Sequence, residues 1–262
     1  MIQKLNLLSI IFLITISISA QSNSLQLPSI FSDNMVLQQE SSVKFWGTGN
    51  PGSEVSINSS WNENAKTKID DSGKWQLDIK TASYGGPYVV NVFSGKEKIE
   101  FKNILLGEVW VCSGQSNMEM PLKGWPPRDL IEGSESIIKN SAKDNIRLFT
   151  VNRSYSLEPM EDCEGSWTES NPETTGNFSA TAYFFGKRLF AELGVPIGLI
   201  HTSWGGTPAE AWTKKEKLET ISEFQPILKQ IGRGNELMKT YKNWLAQFPS
   251  VNFDRDGDSE YW

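Results

Sequence analysis

Residues 104–112 read Ile-Leu-Leu-Gly-Glu-Val-Trp-Val-Cys, a nearly unbroken apolar run that stops at Ser113-Gly114-Gln115-Ser116-Asn117. A run without polar alternation has no face suited to water. It predicts a strand covered on both sides, as in parallel sheets flanked by helices. The polar, glycine-bearing segment behind it predicts a turn from strand into helix. Such a turn puts the Ser116 hydroxyl at the carboxyl edge of a sheet, where open α/β folds keep their sites. It also leaves the backbone N–H groups of Ser116 and Asn117 ahead of the helical ladder, available to a developing oxyanion. Gly-x-Ser also occurs in ordinary polar turns, so this segment names a position before it names a chemistry.

The chain downstream fits that frame. Residues 145–151 predict a strand. Residues 178–193 predict a helix, with Gly194 as its stop, and residues 195–200 predict a third strand. His201-Thr202-Ser203-Trp204-Gly205-Gly206-Thr207 is expected as a glycine-bearing turn at the end of that strand. Strand–helix–strand order implies a parallel sheet. Residues 214–248 predict a mostly helical, solvated segment of mixed charge, broken at Gly232 to Gly234.

Upstream, residues 25–103 carry short strand-like runs separated by turns at regular spacing. Val55-Ser56-Ile57-Asn58 and Trp75-Gln76-Leu77-Asp78-Ile79 alternate with period two. Asn50-Pro51-Gly52, Asp70-Asp71-Ser72-Gly73 and Gly85-Gly86-Pro87 punctuate them. Strands every 8–12 residues, with no competing helical period, predict an all-β sandwich. Its aromatics, Trp46, Trp61, Trp75 and Tyr88 among them, suit a sandwich core; they also suit a sugar platform.

Residues 1–20 read as a secretory leader: Lys4, then an apolar run to Ile18, then Ser19-Ala20. The run is too short for a membrane span. The mature chain is expected to be secreted or periplasmic, with no membrane attachment after cleavage. The 262 residues carry a net charge of −6, which gives no basic field for nucleic acid. One His and two Cys exclude zinc fingers and multi-histidine metal centres. No metal and no cofactor is expected. Cys112 and Cys163 are expected as free thiols, with a disulfide between them as the alternative in an oxidising compartment.

At Gly114-Gln115-Ser116-Asn117-Met118 the chain resembles the sialate O-acetylesterases of the SGNH hydrolase superfamily. The resemblance extends over Ile30 to Gln38, Leu106-Gly107-Glu108-Val109-Trp110, Phe178-Ser179-Ala180 with Phe185-Gly186, and Ser203 to Trp212, in the family's order and spacing. It implies an amino-terminal β-sandwich (residues 21–103) and then a flavodoxin-like α/β/α esterase domain (residues 104–262). Ser116 is then the nucleophile toward an acetyl ester on sialic acid or another acetylated glycan. The backbone N–H groups of Ser116 and Gly176 form part of the oxyanion hole, and Asn117, Trp204, Gly205 and Gly206 line the substrate pocket. Asn117 also suits a helix cap.

The family's base is a His three residues after an Asp, and no Asp-x-x-His occurs in these 262 residues. His201 follows Gly198 at that spacing, so it is expected to have a strand-end or pocket-wall role. The esterase domain is therefore expected to be incomplete and the chain, alone, inactive or nearly so, because a serine hydroxyl is a poor nucleophile without a base. The rival reading is a non-catalytic, secreted glycan-binding protein that uses the aromatic surface of the sandwich. Sequence leaves the oligomeric state open.

Overall fold

The computed structural model describes residues 24–156 and 159–247. The expected leader, residues 1–20, lies outside them. The chain runs β1 (Val36–Gln38), β2 (Ser42–Thr48), β3 (Glu54–Ser59), β4 (Asn64–Lys68), β5 (Lys74–Lys80), β6 (Gly85–Ser94) and β7 (Glu97–Gly114). There follow α1 (Ser116–Glu119), α2 (Ser134–Lys139), β8 (Ile146–Thr150), β9 (Trp167–Glu169), α3 (Pro172–Thr175), α4 (Ala180–Leu193), β10 (Ile197–Ser203), α5 (Lys215–Leu218) and α6 (Gln225–Leu245). The fold is mixed α/β, built on one large sheet in the order β4-β3-β6-β7-β10-β8-β9, with β1 also paired to β7. β2 and β5 form a separate antiparallel pair.

Alternation builds the amino-terminal part. In β5, Trp75, Leu77 and Ile79 point inward while Lys74, Gln76, Asp78 and Lys80 point to solvent. With Phe45 of β2 they share one apolar cluster with Val55, Ile57, Val90, Val92, Phe101, Ile104 and Leu106 of the large sheet. Two sheets thus bury their apolar faces against each other, which is the main source of stability here.

β7 joins this part to the rest. Its first half pairs antiparallel with β6, through Leu106. Its second half, Glu108 to Gly114, pairs parallel with β10. The junction expected at residues 103/104 falls inside this single strand. There the β6 register slips between Tyr88 and Val90, and Asn103 takes φ 55°. The Asn103 side chain holds the bulge: its Nδ2 donates to Asn34 Oδ1 (2.8 Å) and Glu169 Oε1 (2.6 Å), and its Oδ1 accepts from Arg147 Nη2 (3.3 Å). Bulges bend a strand and increase its twist, which suits a point where a strand changes partners.

Parallel pairing of β7, β10 and β8 bears out the strand–helix–strand expectation. α4 packs on one face, where Tyr183, Ile197, Leu199, Leu148 and Ile146 are fully buried. Its start is capped by Ser179, whose hydroxyl accepts from Ala182 N–H, and its end by Gly194 at φ 67°.

Several expectations are corrected. β7 is not covered on both sides along its whole length: Trp110 is 43% exposed and Val111 66%. On the side away from β10, β1 pairs with β7 only from Leu105 to Gly107, and no described strand continues that edge. β10 runs on through Ser203, so His201, Thr202 and Ser203 are strand residues and the turn begins at Trp204. α6 passes unbroken through Gly232 and Gly234, since glycine weakens a helix without forbidding it. It also presents Ile231, Leu237 and Trp244 to solvent, so its surface is less polar than its charge pattern suggested. Asn117 does not cap α1; Gln115 occupies that position.

Candidate active site

β7, β10 and β8 are adjacent and parallel, so their carboxyl ends point the same way. Ser116 follows β7, Trp204 and Gly205 follow β10, and Arg153 follows β8 within three residues. The topology alone therefore gathers at one sheet edge three segments that lie far apart in sequence.

Ser116 opens the single turn of α1 and is exposed. The first amides bonded in that turn are those of Met118 and Glu119, both donating to the Gln115 carbonyl (2.9 and 3.0 Å). The N–H groups of Ser116 and Asn117 precede that ladder. Thr181 Oγ1 of α4 donates to the Asn117 carbonyl (2.8 Å), and the Trp204 N–H donates to the Gly114 carbonyl (3.1 Å). These bonds fix the serine turn between the helix and the loop after β10.

Glu119 sits one turn beyond Ser116 and ties the site together. One carboxylate oxygen accepts from the Gly205 N–H and the other from Arg153 Nη2. A Cβ added to Gly205 would lie 2.6 Å from Glu119 Oε2 and 3.3 Å from Ser116 Oγ. A side chain here would displace the tip of Glu119 and crowd the Ser116 hydroxyl. The Arg153 guanidinium lies 6.0 Å from the Trp204 ring centre. Beyond the turn at Gly206, Thr207 Oγ1 donates to the Trp204 carbonyl (2.6 Å) and accepts from Trp212 Nε1 (2.7 Å).

Gly176 follows α3 and pairs with the segment that leaves α1. Its carbonyl accepts from Lys123 N–H (2.9 Å), and a Cβ added to it would meet Ile138 and Lys123. The glycine packed against Ser116 Oγ is Gly205. The structure thus brings together the Ser116-Asn117 turn and the Trp204-Gly205-Gly206 loop, and Gly176 packs beside Lys123 and Ile138.

His201 lies one layer below. It is 7% exposed, beside Cys112 in the β7–β10 register, and its ring packs edge-on against Phe178 (5.4 Å). Its Nε2 meets Ser203 Oγ at 2.7 Å, so its hydroxyl partner is Ser203 rather than Ser116. Burial holds the imidazole below its ordinary pKa, against opposing pulls from the Met118 backbone and Glu119. Cys112 is also buried, and burial pushes its thiol up to about 11. Both cysteines are free, Cys112 in the α4 core and Cys163 against the amino-terminal one.

Sequence reasoning missed Glu119 and left Arg153 unplaced. The available signal for Glu119 was its spacing of three from Ser116, one helical turn. Arg153 carried none, because only the sheet order brings the end of β8 beside Trp204.

No protein-family model matches the chain. The chain is 31% identical over 209 residues to the sialate O-acetylesterases of Homo sapiens and Pongo abelii, covering 73% of this chain and 39% of each relative. It is 30% identical over 234 residues to that of Rattus norvegicus, covering 79% of this chain and 42% of the relative. It thus spans about two fifths of the length of these curated relatives. Among solved structures, a carbohydrate acetylesterase from Xanthomonas citri superposes with a TM-score of 0.69 at 31% identity, over 74% of this chain and 44% of that one.

Proposed function

The chain belongs to the sialate O-acetylesterase family, and from that premise we propose that Ser116 is the nucleophile of an esterase acting on O-acetylated sugars, sialic acid among them. The fold is then read as an amino-terminal β-sandwich leading through β7 into a flavodoxin-like SGNH domain, in a protein secreted or held in the periplasm. One observation carries the assignment: Ser116 is exposed at the carboxyl edge of β7, with a glycine loop pressed against its Oγ.

In this reading the hydroxyl oxygen attacks the acetyl carbonyl carbon, and the carbonyl π electrons move to its oxygen. The Ser116 N–H, ahead of the α1 ladder, faces that oxyanion. Collapse expels the sugar oxygen, which takes a proton, and leaves acetyl on Ser116. Water then attacks the acyl group and releases acetate. The Gly176 N–H is the second donor proposed for the hole.

The attacking hydroxyl must lose its proton. His201 is committed to Ser203, so it is not read as the base, and turnover by these 262 residues is expected to be slow. A positioned base supplies typically about 10²–10⁴-fold. The test is hydrolysis of p-nitrophenyl acetate and of an O-acetylated sialic acid, by the native chain and by Ser116→Ala. Slow, Ser116-dependent release of acetate is expected. Turnover unaffected by Ser116→Ala would remove the nucleophile assignment, and rates typical of esterases would remove the claim about the base.

A second reading has one observation in its favour. A groove of about 750 Å³ lies on the amino-terminal part, lined by Trp46, Trp75, Lys44, Lys68 and Asp70 among others. A lining of indole and polar groups suits a saccharide. If the protein is a glycan-binding module and no enzyme, binding survives Ser116→Ala and fails when Trp46 is replaced by Ala.

A further inference from the structure

α6 is 21 residues long, and none of its described residues is buried. It leans chiefly on the short turn Ser222–Phe224 that leads into it. Its start has no side-chain cap, and Gly232 and Gly234 lie inside it. A helix this exposed is marginal in water by itself, because helices draw most of their stability from burying one face. α6 has such a face. Ile227, Ile231, Gly234, Met238 and Tyr241 follow one another at intervals of four, three, four and three residues. That is the seven-residue repeat of a two-helix seam. Ile227, Ile231 and Met238 are exposed, and Leu237, at the rim of the seam, is 72% exposed. Lys229, Arg233, Glu236 and Lys239 fall on the far side of the helix.

We propose that this face of α6 pairs with the same face of a second copy of the chain, antiparallel about a two-fold axis that passes beside Glu236. In that register Met238 meets Gly234 of the partner subunit, and Ile231 meets Tyr241 of the partner subunit. A Cβ added to Gly234 would meet nothing within 4 Å in its own chain, so the space for Met238 is open. The two-fold makes each contact twice. Charge favours an identical partner. The seam carries no ionised group, Leu237 and Asn235 each face their own copies at its rims, and Lys242 lies beside Leu228 of the partner subunit. A charged partner would find no counter-charge there, whereas a second copy matches the face along its length. A strip about 30 Å long and about 10 Å wide on each copy buries of the order of 600 Å² in total. That is below the size of stable interfaces, so a weak dimer that depends on concentration is expected. The pairing is independent of the reading of Ser116.

The test is sedimentation equilibrium of the native chain from roughly 1 µM to roughly 1 mM. Monomer at the low end is expected to give way to dimer at the high end. Ile231→Lys puts a charge into the seam and should weaken the dimer at least about tenfold. Lys239→Glu, on the far side, should leave it unchanged. Adding Tyr241→Glu to Ile231→Lys sets opposite charges face to face in the antiparallel register and should recover part of the loss. Residues 231 and 241 are both exposed, so neither substitution threatens the fold. Monomer throughout the range, a dimer indifferent to Ile231→Lys, or no recovery in the double variant would overturn the proposal.

Discussion

Glu119 spends both carboxylate oxygens on groups outside its own helix, the Gly205 amide and Arg153. Hydrogen bonds to a charged group stabilise by roughly 1.5–3 kcal/mol when removed from bulk water. Glu119→Ala is therefore expected to lower stability by about 1–3 kcal/mol. It should also speed amide exchange at Gly205, which hydrogen-exchange measurements on the 203–207 loop will read. Unchanged exchange there would mean that the loop is held by its other bonds, Trp204 N–H to Gly114 and Trp212 to Thr207 among them. His201 makes a second residue-scale prediction. Burial lowers its pKa in the fold, so between the folded value and the ordinary value of 6.5 the unfolded chain binds more protons. Its contribution is fully present above about pH 6.5 and is lost as pH falls toward the folded pKa. Because the chain has one histidine, melting temperature against pH for the native chain and His201→Gln should differ in slope in that window alone. Superimposable slopes would remove the buried-neutral assignment.

At the scale of elements, the decisive contact is the start of β10 against β7. Glu108 N–H donates to the Pro196 carbonyl (2.9 Å), and a Cβ on Gly107 would overlap that same carbonyl oxygen. A backbone atom inside a parallel pair cannot swing aside as a side-chain tip can. Gly107→Ala is thus expected to destabilise by about 2–4 kcal/mol, at the upper end for single substitutions. Urea unfolding should show the midpoint shift, and a change under about 0.5 kcal/mol, the range of ordinary surface substitutions, would show that the pair parts easily there. The same place explains why two distant segments of sequence matter together. Gln38 and Gln39 both donate to the Glu108 carboxylate (3.2 and 2.9 Å), and the Gln38 side chain accepts from Val109 N–H (3.0 Å). Gln38 thus carries the cover that β1 gives the β7 edge on from Gly107 to Val109. The elements themselves were largely legible. Alternation marked β3 and β5, and the cap and stop marked α4. What misled was local punctuation: glycines at 232 and 234 suggested a break that helical context overrode, and the His201 segment looked like a turn because its glycines lie just beyond it.

On the scale of the whole molecule, one strand belongs to both apolar clusters, with Phe101, Ile104 and Leu106 in one and Cys112 in the other. Composition changes near residue 104 because the partners of the strand change there, from antiparallel β6 to parallel β10. That change was readable, while the continuity of the strand across it was not, since only Asn103 and its contacts mark the bulge. The sequence by itself determined the strand–turn–serine unit, the burial pattern of β3 and β5 and the family, because each is written in local spacing or contiguous motifs. Tertiary structure alone decided which glycine faces Ser116, which hydroxyl His201 serves and which arginine reaches the site. Those depend on the order β7-β10-β8, and sheet order places side by side residues whose separation in sequence carries no periodic signal.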